Sequence, residues 1–448
     1  MNILMPERKI PVIEEADICV LGGSCTGVFA AIRAARLGAK TVIVEKQNKF
    51  GGVATNSLVN VWHSLYDTGF KKQIIAGLTL EILERLQKRN AVSEFINTRN
   101  YGIILNSEEL TIELDELVCE SKIKPYLHTF FSEAIIEDNQ TVSAVIVENK
   151  NGRGAIKAKF FIDATGDADL CNKLGQCRNL AEHLQPPTMC AKFSDWNFPE
   201  EIDFQRLIRE KAKKYNLPEG FIWGAFVPQS NVHMLAGTRV FNKNCSDAND
   251  LTFCEIEGRR QIRAIMDIFR NELPEKYHPK IQALPSQIGI RETRHIKSLH
   301  QIKGNELLYG EKFGDAVANA TYPVDIHHND KPGITFKHLD GTQKYCRPGM
   351  NKEEGRWRKK TCASPEYYQI PLRSIIPQNG PGNVISAGRM IDADHEAFGA
   401  VRVMVNLNQI GEAAGAAAHL AVCDNLKIKD VKATDVRKIL SQSGCSVL

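Results

Sequence analysis

The sequence predicts an α/β protein in which the two ends of the chain build one domain and the middle builds another. The chain opens with a strand, a glycine turn, a helix and a second strand. It closes with an apolar strand, a glycine turn and a helix rich in small residues, whereas most of the proline and tryptophan lies between. Because 448 residues are too many for one compact core, we predict one domain from residues 15–180 and 366–448, with an α+β substrate domain of residues 181–365 inserted into it.

The opening unit is predicted from its hydrophobic pattern. Residues 17–21 and 41–44 are short apolar runs typical of buried parallel strands. Apolar residues and alanines recur at helical spacing over residues 28–37, and Gly38 ends the helix. Strand, turn, helix and strand within about 30 residues form a βαβ unit.

The remaining elements follow from the same periodicities. The predicted elements are helices over 73–90 and 107–121, a strand over 126–131, a hairpin over 134–147 around an acidic turn, a strand over 155–161, and the closing helix over 402–422.

The turn after the first strand fits the pattern G-x-G-x-x-G except at its second glycine, where Ser24 stands. In this pattern the first glycine allows a tight turn, the second lets the backbone approach a pyrophosphate, and the third lets helix and strand pack closely. Serine is small enough to preserve the approach, and its hydroxyl can donate to a phosphate oxygen. The alternative is a glycine turn of an unrelated α/β protein.

Glu45 favours the dinucleotide interpretation. It ends the second strand, where a carboxylate accepts hydrogen bonds from a ribose. An acid at this place also disfavours a 2′-phosphate, so we do not expect NADP.

Taken together, the motifs resemble FAD-dependent oxidoreductases with the glutathione-reductase type of dinucleotide fold, and within them a bacterial group. The resemblance covers most of residues 15–180 and 280–420. Besides the glycine turn, it depends on residues 51–55, residues 160–167 with their Ala-Thr-Gly-Asp sequence, residues 289–294, and residues 386–389 followed by His395, Arg402 and residues 409–415.

The resemblance implies that FAD is bound non-covalently, with its pyrophosphate at the glycine turn, a ribose at Glu45 and the 51–55 loop near the flavin. The backbone around Phe131 is expected at the adenine. The implied cofactor-binding residues are Gly22, Gly23, Ser24, Cys25, Thr26, Gly27, Glu45, Lys46, Gly51, Gly52, Ala54, Thr55, Phe131, Ala164, Thr165, Gly166, Asp169, Gly388, Arg389 and Arg402.

The predicted reaction is hydride transfer between flavin N5 and a small substrate, which is anionic if arginines bind it. His63 and His395 are candidates for the accompanying proton transfer, since imidazole titrates near neutral pH. Arg291 and Arg294 are candidates for a substrate carboxylate, and Arg402 adds positive charge at the start of the closing helix. The alternatives are histidines without a ligand, an ion pair of the arginines with Glu292, and an exposed Arg402.

Other functions of related folds stay open. A non-redox flavoprotein that modifies tRNA, a thiazole-synthase-like protein and a non-catalytic FAD-binding subunit are the alternatives. The sequence has neither a second G-x-G-x-x-G after a strand nor a CxxxxC pair near the first helix, so tight NAD(P)H docking and disulfide-reductase chemistry are not supported. We therefore expect reoxidation by a diffusible acceptor.

Composition bounds the partners. The net charge of +4, from 57 basic and 53 acidic residues, indicates neither nucleic-acid nor membrane binding. The N-terminus lacks the pattern of a signal peptide, and we expect no membrane span. Twelve scattered cysteines predict reduced thiols and a cytoplasmic protein. The adjacent pair His327–His328 is poor metal-ligand spacing, so no metal site is predicted; a homodimer is expected only by analogy.

Overall fold

The computed structural model describes residues 3–4, 7, 9–96, 99, 102–137, 140–178, 184–360 and 363–448. Its helices are α1 (Cys25–Arg36), α2 (Leu78–Lys88), α3 (Ser107–Glu120), α4 (Asp169–Lys173), α5 (Phe204–Lys211), α6 (Ala248–Glu272), α7 (Gly304–Leu308), α8 (His395–Val401), α9 (Met404–Cys423) and α10 (Ala433–Gln442). Its strands are β1 (Val12–Leu21), β2 (Thr41–Val44), β3 (Val61–His63), β4 (Gly102–Ile104), β5 (Lys124–Tyr126), β6 (Phe130–Glu137), β7 (Thr141–Asn149), β8 (Gly152–Asp163), β9 (Cys177–Arg178), β10 (Cys190–Ser194), β11 (Trp223–Phe226), β12 (His233–Ala236), β13 (Lys280–Ala283), β14 (His295–Ile296), β15 (Ala316–Ala320), β16 (Val324–His327), β17 (Ile334–Lys337), β18 (Thr342–Cys346), β19 (Glu353–Arg356), β20 (Tyr368–Pro371) and β21 (Val384–Ser386).

The central sheet has the order β5-β2-β1-β8-β7-β6, and β21 also pairs with β8. The strands β5, β2, β1, β8 and β21 are parallel neighbours, whereas β6 and β7 form the predicted hairpin. Its predicted acidic turn, Asp138 and Asn139, lies outside the described residues. Leu21 is in register with Val44 and with Asp163, so the carboxyl ends of three parallel strands share one edge. Such an edge is where ligands bind in open α/β sheets.

Two predicted elements differ from the structure. The helix predicted from residue 73 begins only at Leu78, because Gly77 adopts a φ of +65° and the backbone N–H of Ile74 donates to Leu65 O at 2.8 Å. The strand predicted over 126–131 is divided between β5 and β6. His128 has a φ of +49° there, and the N–H of Thr129 donates to Glu45 O at 3.0 Å, so the chain turns to meet the end of β2.

The opening and closing helices pack directly against each other. A Cβ on Gly411 would lie 2.2 Å from Thr26 O, and one on Gly415 would lie 2.3 Å from Ala30 O. Both contacts advance by four residues along each helix, so α1 and α9 are parallel. Gly411 is the eighth residue of α9 and Thr26 the second of α1, which places the start of α9 about 9 Å beyond the start of α1.

The middle of the chain adds two antiparallel sheets, β11-β12-β10-β13 and β16-β17-β18-β19. The first packs against α6 through a separate apolar core that includes Phe193, Leu235 and Phe269. The predicted domain boundary at residues 180 and 181 lies outside the described residues. Across the other boundary, at residues 365 and 366, apolar side chains such as Ala318 belong to the same core as α9. The domain division stays a prediction.

Among the described helices, none combines the length and apolar character that crossing a bilayer requires.

Candidate active site

One large cleft, with a volume of about 370 Å³, opens at the carboxyl edge of the parallel strands. It continues from the glycine turn to the sheets of the middle segment. The predicted residues that line it are Gly22, Ser24, Cys25, Thr26, Glu45, Lys46, Gly51, Gly52, His63, Ala164, Thr165, Gly166, Arg291, Gly388, Arg389 and Arg402.

The glycine turn has no room for side chains at its first and last positions. Gly22 has a φ of +103°, and a Cβ there would lie 2.2 Å from Ala164 O. A Cβ on Gly27 would lie 1.9 Å from Gly22 O, so α1 rests directly on the turn. Ser24 caps the helix and its hydroxyl accepts from the N–H of Gly27 at 3.4 Å. The turn therefore exposes backbone at the start of α1, where the helix dipole favours an anion.

Glu45 is buried beside this turn. One carboxylate oxygen accepts from the N–H of Gly23 at 2.6 Å, and the other accepts from the N–H of Gln47 at 2.7 Å. A carboxylate offers about four acceptor positions, so a further position on each oxygen is left for ribose hydroxyls. Glu45 both holds the turn and lines the cleft.

The loop after β2 closes over the turn. Gly51 has a φ of +106°, and its N–H donates to Gly23 O at 2.8 Å. A Cβ on Gly52 would lie 2.8 Å from the Cβ of Ser24. Thr55 is buried and its hydroxyl donates to Phe50 O at 2.6 Å. Gly51 and Gly52 thus line the cleft, and the hydrogen bond of Thr55 holds the loop from its buried side.

A charged network borders the cleft at the end of β8. Asp167 pairs with Arg389, accepts from the hydroxyl of Thr293 at 2.8 Å and lies 3.8 Å from the amine of Lys46. Burial alone would raise the pKa of Asp167, but the positive charges of Arg389 and Lys46 hold it below its ordinary value. The network fixes two cations at the cleft wall.

Some predicted site residues lie behind the wall rather than in it. Arg294 donates to Asp169 at 3.1 Å, so its ion-pair partner is Asp169 and not Glu292. A carboxylate oxygen of Glu292 instead lies 3.2 Å from Nε2 of His295. Burial, together with the charge of Asp167, raises the pKa of Asp169 to about 6. Five other predicted residues also lie behind the cleft wall. They are Gly23 and Gly27 in the turn, buried Ala54 and Thr55, and Phe131, which packs in β6 against the core beneath the sheet.

His395 is placed differently from the prediction. It is the exposed first residue of α8, and Asp394 caps that helix by accepting from the N–H of Ala397 at 2.8 Å. As the first residue after this cap, His395 is exposed and is not among the residues that line the cleft. His63, in contrast, lines the cleft, with its ring centroid 4.0 Å from that of Tyr322.

A buried group that the sequence interpretation missed lies beyond His63. Asp325 accepts from Arg402 at 3.0 Å and from the hydroxyl of Tyr322 at 2.8 Å. The Nη1 of Arg239 lies 2.8 Å from the Nδ1 of His327. Because guanidinium only donates, Nδ1 accepts, and the proton of the neutral imidazole is on Nε2, which faces Asp325 at 3.2 Å.

The charges of this group are unbalanced. We call Arg239, Arg291 and Arg402 the arginine cluster. Burial, reinforced by the other two arginines, lowers the pKa of Arg291 to about 9, and burial lowers the pKa of Arg239 to about 10. Burial lowers the pKa of His327 well below its ordinary value, so it is neutral. Burial alone would raise the pKa of Asp325, but the positive charge of Arg402 and the hydrogen bonds from His327 and Tyr322 hold it below its usual range.

One signal in the sequence could have revealed part of this group. Asp325 and His327 are two residues apart on β16, so their side chains share a face. The adjacent His328 instead lies 2.7 Å from the hydroxyl of Thr335. Within the described residues, no three histidine, cysteine or carboxylate side chains converge to hold a metal ion.

A family model described as FAD dependent oxidoreductase matches residues 17–440. The chain belongs to this family of FAD-dependent oxidoreductases. The predicted α/β fold with a Rossmann-like sheet, the predicted cofactor and the prediction of an enzyme are thereby confirmed.

Individual relatives are more distant. This FAD-dependent oxidoreductase is 28% identical over 163 residues to the mitochondrial dihydrolipoyl dehydrogenase of Schizosaccharomyces pombe, covering 34% of this chain and 28% of that protein. It is 28% identical over 174 residues to dihydrolipoyl dehydrogenase of Trypanosoma brucei brucei, covering 36% and 32%. The chain thus spans less than a third of the length of these relatives.

Solved structures similar over most of the chain include a geranylgeranyl bacteriochlorophyll reductase-like protein from Thermoplasma acidophilum, with 13% identity, a TM-score of 0.49, and 96% and 83% of the two chains covered. A myxobacterial chondrochloren halogenase has 13% identity and a TM-score of 0.46, with 96% and 80% covered.

The residues of the cleft fit FAD. Gly52 keeps the approach to the start of α1 open, since a Cβ there would lie 2.8 Å from the Cβ of Ser24, and Gly22 and Gly27 let α1 and the turn pack closely behind it. The start of α9 also lines the cleft, through Met404 and Leu407. Two parallel helix N-termini, offset by about 9 Å along the helix axis, therefore face one cleft, and each contributes about half a positive charge.

Proposed function

We propose that this enzyme transfers a hydride between a small-molecule substrate and FAD, with a diffusible electron acceptor or donor completing the cycle. The observation that carries the proposal is the continuity of the cleft. The same cavity that includes the glycine turn and Glu45 also includes His63, Tyr322 and Arg291. Substrate and cofactor can therefore meet in one space.

In this proposal the cleft-lining part of the glycine turn holds the pyrophosphate, Glu45 a ribose, and Arg402 with the start of α9 the flavin. FAD supplies N5 as the hydride acceptor or donor. Gly51, Gly52 and the Ala164–Gly166 segment complete the binding wall, and the diphosphate charge is balanced by the start of α1.

His63 is the proposed group that holds or moves a proton at the substrate. Its imidazole lies in the cleft against the ring of Tyr322. Tyr322 stays protonated, because burial and the neighbouring Asp325 raise its pKa well above the ordinary value. Its hydroxyl donates to Asp325 at 2.8 Å, which fixes the ring against which His63 lies. An imidazole so oriented can accept or donate a proton at neutral pH.

The test is anaerobic reduction of the purified holoenzyme by a panel of small molecules, and the loss of flavin absorbance measures the reduction. For any compound that reduces it, deuterium at the oxidised carbon should slow the reduction severalfold, whereas His63→Asn should slow it while FAD content stays unchanged. A second reaction is run aerobically with labelled dioxygen. A product that carries the label, together with no isotope effect on the anaerobic reduction of the flavin, would contradict hydride transfer.

A cytoplasmic location and a homodimer stay predictions.

A further inference from the structure

Beyond His63, one wall of the cleft presents polar and apolar side chains next to each other. In the register of β16 and β17, Asp325 stands opposite Phe336 and His327 opposite Ile334. Residues directly opposite each other on paired strands share a face of the sheet. All four line the cleft, so an apolar pair adjoins the polar pair that contacts the arginine cluster.

A second wall is apolar across three strands. Ala236 of β12 is in register with Trp223 of β11 on one side and with Cys190 of β10 on the other. These three side chains form one row and line the same cleft as Phe336. The substrate end of the cleft therefore has an apolar section of aromatic and aliphatic groups that adjoins a cationic section.

The cationic section has fewer carboxylates than guanidinium groups. Within residues 184–360 and 363–448, the group contains the three guanidinium groups of the arginine cluster and one carboxylate, Asp325, which bonds Arg402. Arg291 donates to the backbone oxygen of Pro186 and to the hydroxyl of Thr188, both neutral. Arg291 is partly buried and lines the cleft, and a guanidinium held away from bulk water is normally paired, so we expect an anion from outside the chain beside it.

We propose that the substrate is a monocarboxylate with an apolar body, whose carboxylate binds Arg291 and whose body lies between Trp223 and Phe336. The inference rests on the proposed function, since it names the substrate class of the same site. A neutral apolar compound would leave Arg291 without an anion, and a short hydrophilic acid would leave the aromatic side chains exposed to water.

The test is direct binding to the oxidised holoenzyme, measured by calorimetry, with three probes. The probes are 3-phenylpropanoate, its neutral isostere 3-phenylpropanamide, and propanoate, which lacks the apolar body. We expect 3-phenylpropanoate to bind more than tenfold more tightly than either of the others. Equal affinity of acid and amide would overturn the carboxylate site. Equal affinity of the two acids would overturn the apolar body, and no binding by any probe at millimolar concentration would overturn both.

Variants separate the two sections of the site. Arg291→Gln should weaken 3-phenylpropanoate more than tenfold and leave the amide unchanged, and Arg291→Lys should restore part of the loss because it keeps the charge. Phe336→Ala should weaken 3-phenylpropanoate but not propanoate. Arg270→Gln, on the exposed side of α6, is the matched control and should leave the affinities for 3-phenylpropanoate and for propanoate unchanged. Each variant is compared at equal FAD content.

Two outcomes distinguish this inference from the proposed function. If substrates reduce the flavin with a deuterium isotope effect but the acid and amide bind alike, hydride transfer stands and the substrate class is wrong. If Arg291→Gln loses FAD together with the probe, the arginine belongs to the cofactor site and the inference is overturned.

Discussion

The contact between α1 and α9 leads to a sharp prediction for Gly411→Ala. The added Cβ would lie 2.2 Å from Thr26 O, so it must retreat by about 1 Å to reach an ordinary separation. The partner is a backbone oxygen, so no side chain can rotate away to relieve the clash. The two helices must move apart, and both of their N-termini line the cofactor cleft.

The magnitude follows from two opposing effects. Overpacking of this kind costs about 1–3 kcal/mol, and alanine recovers about 1 kcal/mol over glycine inside a helix. The net cost is up to about 2 kcal/mol. The apoprotein can relax by separating the helices, whereas bound FAD needs both N-termini in place, so the cost falls mainly on the complex. We expect the dissociation constant of FAD to rise by up to about 30-fold.

Two measurements test this. Titration of the apoprotein with FAD, monitored by flavin fluorescence, gives the dissociation constant, and thermal unfolding gives the stability of the holoenzyme. Gly355→Ala is the matched control, because a Cβ on this exposed glycine of β19 meets nothing within 4 Å. It should leave FAD affinity unchanged. If Gly411→Ala binds FAD as tightly as the wild type and unfolds at the same temperature, close helix contact does not set the geometry of the cleft.

Three further predictions concern charged groups around the cofactor. Glu45→Gln should weaken FAD about tenfold in the same titration, because the amide nitrogen cannot accept the bonds that the carboxylate accepts; unchanged affinity would remove Glu45 from the site. Asp167→Asn breaks the pair with Arg389. Since the folded-state pKa of Asp167 is lowered, its contribution to stability is present above about pH 4 and fades as the pH falls further. The unfolding temperature of the wild type should therefore drop more steeply on acidification than that of the variant, and parallel profiles would contradict this. Arg402→Gln should lower the midpoint potential of bound FAD in a dye-coupled titration, because a nearby positive charge stabilises the reduced anion; an unchanged potential would place Arg402 away from the flavin.

The meeting of the glycine turn, Glu45 and the end of β8 in one cleft could be predicted because these features are local in sequence. The turn at Gly22 and Gly27, the carboxylate of Glu45 and the end of β8 all follow strands whose apolar runs are easily recognised. Parallel strands bring their carboxyl ends to one edge, so motifs far apart in the chain converge there without any knowledge of side-chain packing.

The substrate end could not be predicted in the same way. The arginine cluster comes from residues 239, 291 and 402, which meet only because two antiparallel sheets and the start of α9 enclose one cleft. No local spacing signals such a meeting. Nearness in sequence also suggested His395 as a cleft residue, because it follows the glycine turn at Gly388 closely. In the structure it is the exposed first residue of α8 and does not line the cleft.

The charges along the cleft favour the orientation of FAD that we propose. Glu45 places a negative charge at one end, where neutral ribose hydroxyls can donate to it. The start of α1 provides positive potential next to it for the diphosphate, and the start of α9 with Arg402 provides more about 9 Å further on. In the reverse orientation the diphosphate could still reach a helix N-terminus, but the electron-accepting ring would lie beside Glu45, whose charge opposes an anionic reduced form. In the proposed orientation the same field thus also favours reduction of the flavin, and both effects depend on the contact of α9 with α1.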